Sequence, residues 1–311
     1  MARKTKELKN KENLEKMILE LEYTNRKTTT IRVYVSTVKK MLIYFQTEGK
    51  DCTSEEVWNY LRLYRESSRS VQTKRVYSFA IKYYCQKILD WDDNICRKIF
   101  SKIKGNSLLP DILTQIEISN ILKNTKDIFE RVIIYTLYTT GVRISELINI
   151  KLEDINAASQ TIFIKNGKGG KGRVVPLSPS LYKILREWWK IGYPRKDDLK
   201  KYGKNIYLFP SQNGDAISNM KVRKVWNLSL SRISPQKKLG VHTLRRCFAT
   251  HALEKGVNIF TLSKWMGHSN ILSTTRYLRL TNILETQETL KLDQGETAKI
   301  INTFYTKDAT L

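Results

Sequence analysis

The chain is poor in the features that would place it in a membrane, an oxidising compartment or a metal site. Its longest apolar runs are short and broken by Lys or Arg, and none approaches the roughly 20 residues a membrane helix needs. The first residues, MARKTKELKN, are basic but lead into a charged helical pattern rather than an apolar signal core. The expectation is a cytoplasmic chain with no membrane partner. Cys52, Cys85, Cys96 and Cys247 form neither a CxxC pair nor a regular framework, so they read as reduced thiols. His242, Cys247 and His251 lie near one another, but no second Cys or His pair completes a zinc set. There is no internal repeat and no low-complexity segment.

Acidic residues are the other deficit. There are 30 Asp and Glu against 55 Lys and Arg, a formal net charge of +25. Residues 1–110 carry 23 basic and 13 acidic residues, or +10, and the remainder carries 32 and 17, or +15. Both parts are basic, which a single basic tail would not give. The partner this charge suits is a polyanion touched by the whole molecule, nucleic acid first, and a generally basic composition is the plain alternative. With 311 residues, 41% hydrophobic and 27% charged, the chain has room for two ordinary domains and a sizeable core.

Residues 10–100 read as helices almost throughout. Met17, Ile18, Leu19 and Leu21 form one apolar cluster. Thr28–Thr30 cap the next helix, where Ile31, Val35, Val38, Leu42 and Phe45 recur at helical spacing before Gly49 ends it. Thr53 or Ser54 caps a short helix with Glu55 and Glu56 in its first turn and Val57, Tyr60 and Leu61 inward. Ser67–Ser70 open a fourth helix with Val71, Val76, Phe79, Ala80 and Tyr83. Four helices make a small bundle. It is decorated by Arg26, Lys27, Arg32, Lys39, Lys40, Arg69, Lys74 and Arg75, which read equally as a solvated face or as phosphate contacts.

The segment KIKGNSLLPDI, residues 102–112, is a linker with Gly105, Asn106, Ser107 and Pro110. Beyond it helical patterns cover 116–122 and 128–139. The β-rich runs 161–165 and 173–177 then flank the glycine turn NGKGG, a hairpin signal. Helical patterning returns at 181–189, 219–233, 243–255 and 259–265. The expected fold is mainly α with a small β-hairpin or sheet. It divides into an N-terminal helical domain (1–103), a linker (104–112), an α+β domain (113–290) and a C-terminal tail (291–311).

Histidine is scarce, and His242, His251 and His268 are the only three. His242 and Arg245 stand three apart, on one helix face. Arg offers a planar fork for two phosphate oxygens, and His donates one further bond or a proton. Taken singly, such a pair reads as a surface pair. The companions change that. Arg143 follows a glycine turn at a helix start, where donors converge on an anion. Lys168 sits at the tip of the glycine-rich hairpin. His268 follows a helix end at Gly267, and nine residues later comes Tyr277, behind Ser273, Thr274 and Thr275, a cap and short helix. Two Arg, a Lys, two His and a Tyr supply what metal-free phosphoryl transfer needs: a hydroxyl to attack, cations for the developing charge and an acid for the leaving oxygen.

The segments TTGVRISEL, IKNGKGGKGRVVPL, HTLRRCFATHAL and WMGHSNILSTTRY resemble the active-site boxes of the tyrosine recombinases, in family order and with family-like spacing. The Xer recombinases, integron integrases and transposon integrases are the nearest-looking branches. The resemblance covers residues 112–285 by motif, and the N-terminal block is more loosely similar to the family's core-binding domain, which implies that the helical domain 1–103 binds DNA and that the α+β domain 113–290 is catalytic. It implies that Arg143 and Arg245 hold the scissile phosphate and that Lys168 is the general acid, with Lys171 the other candidate in the same turn. His242 serves in proton transfer, His268 bonds a phosphate oxygen and buttresses the nucleophile, and Tyr277 attacks. Glu146 braces the arginine or is a helix-surface carboxylate. His251 reads as a packed helix residue. Arg246 and Cys247 depart from the family's commoner His and Ser or Thr, at positions without a catalytic role.

The resemblance further implies a 3′-phosphotyrosyl intermediate and strand exchange through a Holliday junction, with no cofactor, metal or ATP. The implied partner is double-stranded DNA bearing a specific recombination site, in a nucleoid-associated setting. Four protomers, a homo-tetramer or a hetero-tetramer with a related recombinase, would clamp that DNA in a C shape. The tail 291–311, with Ala298, Ile300, Ile301 and Phe304 on one face, would dock on a neighbouring protomer or cap its own. Two other classes share these residues: a type IB topoisomerase or telomere resolvase using the same pocket, and a DNA-binding protein that kept the fold without the chemistry.

Overall fold

Most helices begin where a side-chain oxygen can take one of the orphan N–H groups of the first turn. Thr53 accepts from the backbone of Glu56, Ser70 from Thr73 and Asp92 from Asn94. The computed structural model describes residues 2–101, 103, 111–165, 172–193, 206–268 and 270–278, with side chains from residue 7 onward. The chain forms two units, Met1–Leu108 and Leu109–Leu311, each with its own core.

The first unit contains α1 (Ala2–Tyr23), α2 (Thr28–Thr47), α3 (Ser54–Glu66), α4 (Val71–Lys87) and α5 (Asp93–Ile99). They close over Met17, Leu21, Met41, Phe45, Val57, Leu61, Ile81 and Tyr84. Each such side chain, fully buried, is worth roughly 1.5–3 kcal/mol. The helix α5, capped by Asp92, is a fifth element beyond the four the apolar spacing predicts. Leu19 is 65% exposed, because two positions from both Met17 and Leu21 put it on the opposite face of α1. Phe79, 61% exposed, likewise points outward while Ala80 is buried. Thr28–Thr30 lie inside the first turn of α2, whose N-cap Lys27 provides no side-chain bond. Some of the basic residues serve the fold: Lys40 donates to the Tyr77 hydroxyl, Lys74 to the Arg65 carbonyl, and Arg75 twice to the carbonyl of Ile103. Arg69 lies over the stacked rings of Tyr64 and Tyr77.

The second unit is built around α7 (Ile128–Thr140), whose Val132, Ile133, Ile134 and Leu137 are buried. Before it comes α6 (Gln115–Lys123), started by a capping box in which Thr114 and Glu117 serve each other's backbone N–H. After it come the one-turn α8 (Ile144–Leu147) and an antiparallel sheet of β1 (Ile155–Asn156), β2 (Thr161–Ile164) and β3 (Arg173–Pro176), in that order. The expected hairpin strands pair with Ile164 opposite Arg173 and Ile162 opposite Val175. The two-residue β1 is too short to show a period. The helix α9 (Pro179–Glu187) runs into a π turn at Trp188–Gly192. Then follow α10 (Asn219–Ile233), α11 (His242–Glu254), α12 (Ile259–Met266) and α13 (272–278). Among the described residues, no helix is long and apolar enough to cross a membrane.

Candidate active site

The site begins where α7 must stop. Gly141 takes a left-handed conformation (φ +61°), and a Cβ there would fall 2.2 Å from the Phe248 ring. The chain turns through Val142 to Arg143 and into α8. The Arg143 backbone N–H does not await an external anion. It donates to Glu146 Oε2 at 2.7 Å, so the negative group at this helix start belongs to the chain itself.

Glu146 is a hub rather than a surface carboxylate. It is 5% exposed and takes Nη1 of Arg143 at 2.7 Å and Nη1 and Nη2 of Arg173 at 2.9 and 2.7 Å. Arg245 Nη1 stands 4.0 Å from Oε2. Burial pushes the carboxyl pKa up, but the bonds from Arg173 and Arg143 outweigh it and hold the group at about 2. Arg173 also donates Nε to the Trp265 carbonyl at 2.6 Å, joining β3 to α12.

Arg245 lies in the first turn of α11 and is 7% exposed. Its Nη1 donates to the Gly141 carbonyl, and its Nη2 donates to the Met266 carbonyl and lies 3.3 Å from His268 Nε2. Burial, then the repulsion of Arg143, lowers its pKa to about 10, which leaves it charged at neutral pH. His242, first residue of α11, is exposed. Loss of hydration and the guanidiniums of Arg223, Arg245, Arg246 and Arg143 lower its pKa, favouring the neutral ring.

At the end of α12, Gly267 is again left-handed (φ +62°), and a Cβ would press on Arg173 at 3.0 Å. His268 follows. Its Nδ1 is 2.8 Å from Thr274 Oγ1, and its ring lies parallel to that of Tyr277, at 12° with centroids 6.3 Å apart. Burial and the nearby cations lower the His268 pKa to about 4. Tyr277 is 8% exposed. The cap of α13 is Asn270, which accepts the Leu272 N–H at 2.9 Å, so Ser273, Thr274 and Thr275 lie within the helix rather than ahead of it.

Arg143, Arg245, His268 and Tyr277 are thus brought together, and His242 faces the same cations. Lys168 and Lys171 lie outside the described residues, as do the tail 291–311 and linker residues 104–110. Lys165, at the end of β2, is paired with Glu153 at 2.6 Å and Asp154 at 2.8 Å. Two residues of the site, Arg173 and Thr274, carry no catalytic motif in the sequence. Arg173 had a signal, a charged residue beginning an apolar strand.

His251 is 4% exposed and bonded through Nδ1 to the Tyr138 hydroxyl at 2.9 Å, while Cys247 Sγ accepts the Leu113 N–H at 3.2 Å. Among the described residues no group of three or more His, Cys, Asp or Glu is arranged to hold a metal ion.

With both histidines neutral, three guanidiniums face one carboxylate, an excess of two positive charges at a largely buried place. Burying charge without a counter-charge is costly, so the arrangement is poised to take an anion. Arg143 commits its backbone N–H and Nη1 to Glu146 and keeps 24% of its side chain exposed, which leaves a face for that anion.

Residues 111–282 match the model of the phage integrase family. Tyrosine recombinase XerA of Pyrococcus horikoshii is 30% identical over 277 residues, spanning 88% of this chain and 91% of that protein. Among solved structures, XerH recombinase bound to a palindromic difH substrate in a post-cleavage complex superposes with a TM-score of 0.65. It is 24% identical and covers 85% of this chain and 80% of its own. A lambda integrase tetramer bound to a Holliday junction gives a TM-score of 0.68 at 15% identity, over 86% of this chain and 76% of that one. These two likenesses establish the fold, and the sequence match establishes the lineage: the chain belongs to the phage integrase family and is a tyrosine-type site-specific DNA recombinase.

Proposed function

We propose that Tyr277 is the nucleophile of this recombinase and that Arg143 and Arg245 hold the phosphate it attacks. The phenol oxygen bonds to phosphorus, the bond from phosphorus to the 5′ oxygen breaks, and the DNA is left joined through a 3′-phosphotyrosyl link. The phenolic proton passes to neutral His242, and Lys168 protonates the departing 5′ oxygen, with Lys171 the other candidate for that step. His268 bonds a non-bridging oxygen and supports the Tyr277 ring. A 5′-hydroxyl from the partner duplex reverses the chemistry, so the phosphodiester energy is kept and no ATP is spent. Glu146 and Arg173 position Arg143 without touching the substrate.

The observation that carries this reading is the connected set Tyr277, His268 and Arg245: the Tyr277 ring lies parallel to a histidine that is itself bonded to the buried guanidinium of Arg245. The test is a nicked duplex incubated with the protein in EDTA and run on a denaturing gel. A covalent protein–DNA band is expected, and Tyr277→Phe should abolish it while leaving duplex binding intact. A band that survives the substitution would overturn the assignment.

The partner in this reading is double-stranded DNA carrying a recombination site, bound by four protomers as in the lambda integrase assembly. Residues 1–103 and 113–290 act as the two DNA-binding parts, and the tail 291–311 docks on a neighbouring protomer. A chain truncated after Gly295 should still bind a single site but lose cooperative synapsis, and intact synapsis would remove the tail from the account.

A further inference from the structure

His268 is held by two neighbours of opposite hydrogen-bonding character. Arg245 lies 3.3 Å from Nε2, and a guanidinium can only donate, so in the free protein Nε2 is the bare, accepting nitrogen. The ring proton is then on Nδ1, 2.8 Å from Thr274 Oγ1, which accepts it. Thr274 is completely buried. A histidine in this state cannot donate from Nε2 to a phosphate oxygen, the bond assigned to it above. To do so it must carry a proton on Nε2, either as the other neutral tautomer, which accepts on Nδ1, or as the imidazolium, which donates from both nitrogens.

A hydroxyl is the one small uncharged group that serves both states. It accepts from Nδ1–H while that proton is present and turns its own proton toward Nδ1 if that nitrogen becomes bare. Thr274 is also three residues before Tyr277 on α13, so the two share a helix face. The same helix therefore grips His268 at Nδ1 and lays the Tyr277 ring parallel to it.

We propose that Thr274 is a positioning residue: its hydroxyl holds His268 in register with Tyr277 and serves the ring both before and after Nε2 takes a proton from solvent to donate to an arriving phosphate, the Nδ1 proton either staying on the ring or returning to solvent. The proposal rests on Tyr277 as nucleophile and on His268 as a phosphate ligand. Arg245, freed from Nε2 by the incoming anion, then donates to the phosphate beside it.

The scarcity of histidine makes the test clean, because ¹⁵N labelling of the three rings gives three spin systems, and His268→Gln identifies the one to follow. In the free wild-type protein the His268 ring should show a protonated Nδ1 and a bare Nε2; a protonated Nε2 would overturn the proposal. Adduct formation on a nicked duplex selected from a random pool is the second measurement. Thr274→Val should slow it on the order of 10–100-fold, the range seen when the hydrogen-bond partner that orients a metal-bound histidine is removed, and Thr274→Ser should restore most of the rate. In a His268→Gln background, Thr274→Val should cost nothing further, since it acts only through that ring. Equal losses in both backgrounds would mean that Thr274 merely stabilises α13, and a wild-type rate in Thr274→Val would end the proposal. If the wild type gives no adduct, or one that survives Tyr277→Phe, it is the Tyr277 reading that fails, and the nitrogen shifts still decide whether Thr274 accepts from His268.

Discussion

Glu146 takes both terminal nitrogens of Arg173, at 2.9 and 2.7 Å, across 27 residues of sequence, and the same carboxylate holds Arg143. A bidentate pair of this kind fixes orientation as well as charge. Glu146→Gln leaves three guanidiniums facing one another without a counter-charge. Breaking one side of a buried pair typically costs about 3–5 kcal/mol, so urea unfolding should show a loss of that order, together with a fall in cleavage. A variant as stable as the wild type would mean that the carboxylate is not the hub.

Gly141→Ala tests the turn that delivers Arg143. The left-handed backbone costs a non-glycine residue about 1–2 kcal/mol, and the added Cβ would fall 2.2 Å from the Phe248 ring. The Gly141 carbonyl also takes Arg245, so adduct formation should drop with stability. Adding Phe248→Leu should recover the steric part of the loss and leave the backbone part. Full recovery would contradict the conformational argument.

Acid should weaken the second unit in a defined window. Burial first, then Lys255, lowers the His251 pKa from 6.5 to about 4, so between those values the unfolded chain binds a proton that the folded chain refuses. Stability is therefore lost as pH falls from 6.5 toward 4, by about 3 kcal/mol for this residue. Glu146 titrates lower: its stabilisation is present above the ordinary carboxylate range and disappears as pH falls toward about 2. Urea midpoints at pH 7 and pH 5 should differ, and His251→Gln should shrink the difference. A midpoint unchanged between the two would contradict the buried, neutral His251.

DNA affinity should depend steeply on salt. A net charge of +25 distributed over both parts of the chain implies many phosphate contacts. A protein making 6–10 of them loses on the order of 10³–10⁵ in affinity between 50 and 200 mM salt. Equilibrium binding across that range checks the slope, and a flat response would leave the charge without its partner.

Much of this was legible in the residues because it is local. The apolar spacing of 219–233 coincides with α10, and the β-rich runs around the glycine turn pair as β2 and β3. Arg143, Arg245, His268 and Tyr277 could be singled out because each sits beside a glycine helix end or within a short motif. What escaped is non-local or compensated. Arg173 reads as a charged strand end until its partner, Glu146, is brought to it by the fold. Thr274 reads as a helix cap because the competing cap, Asn270, is equally suitable by composition, and only the bond to His268 gives its hydroxyl a different task. Leu19 and Phe79 are apolar residues on outer faces, which periodicity tolerates without marking.

The covalent bond between protein and DNA can be located residue by residue. The adduct with nicked duplex would be digested with a nuclease and then with a protease cutting after lysine, and the peptides weighed. The nucleotide remnant should fall on the peptide 265–291, in which Tyr277 is the sole tyrosine. A remnant on any other tyrosine-bearing peptide, with 265–291 recovered unmodified, would contradict the account.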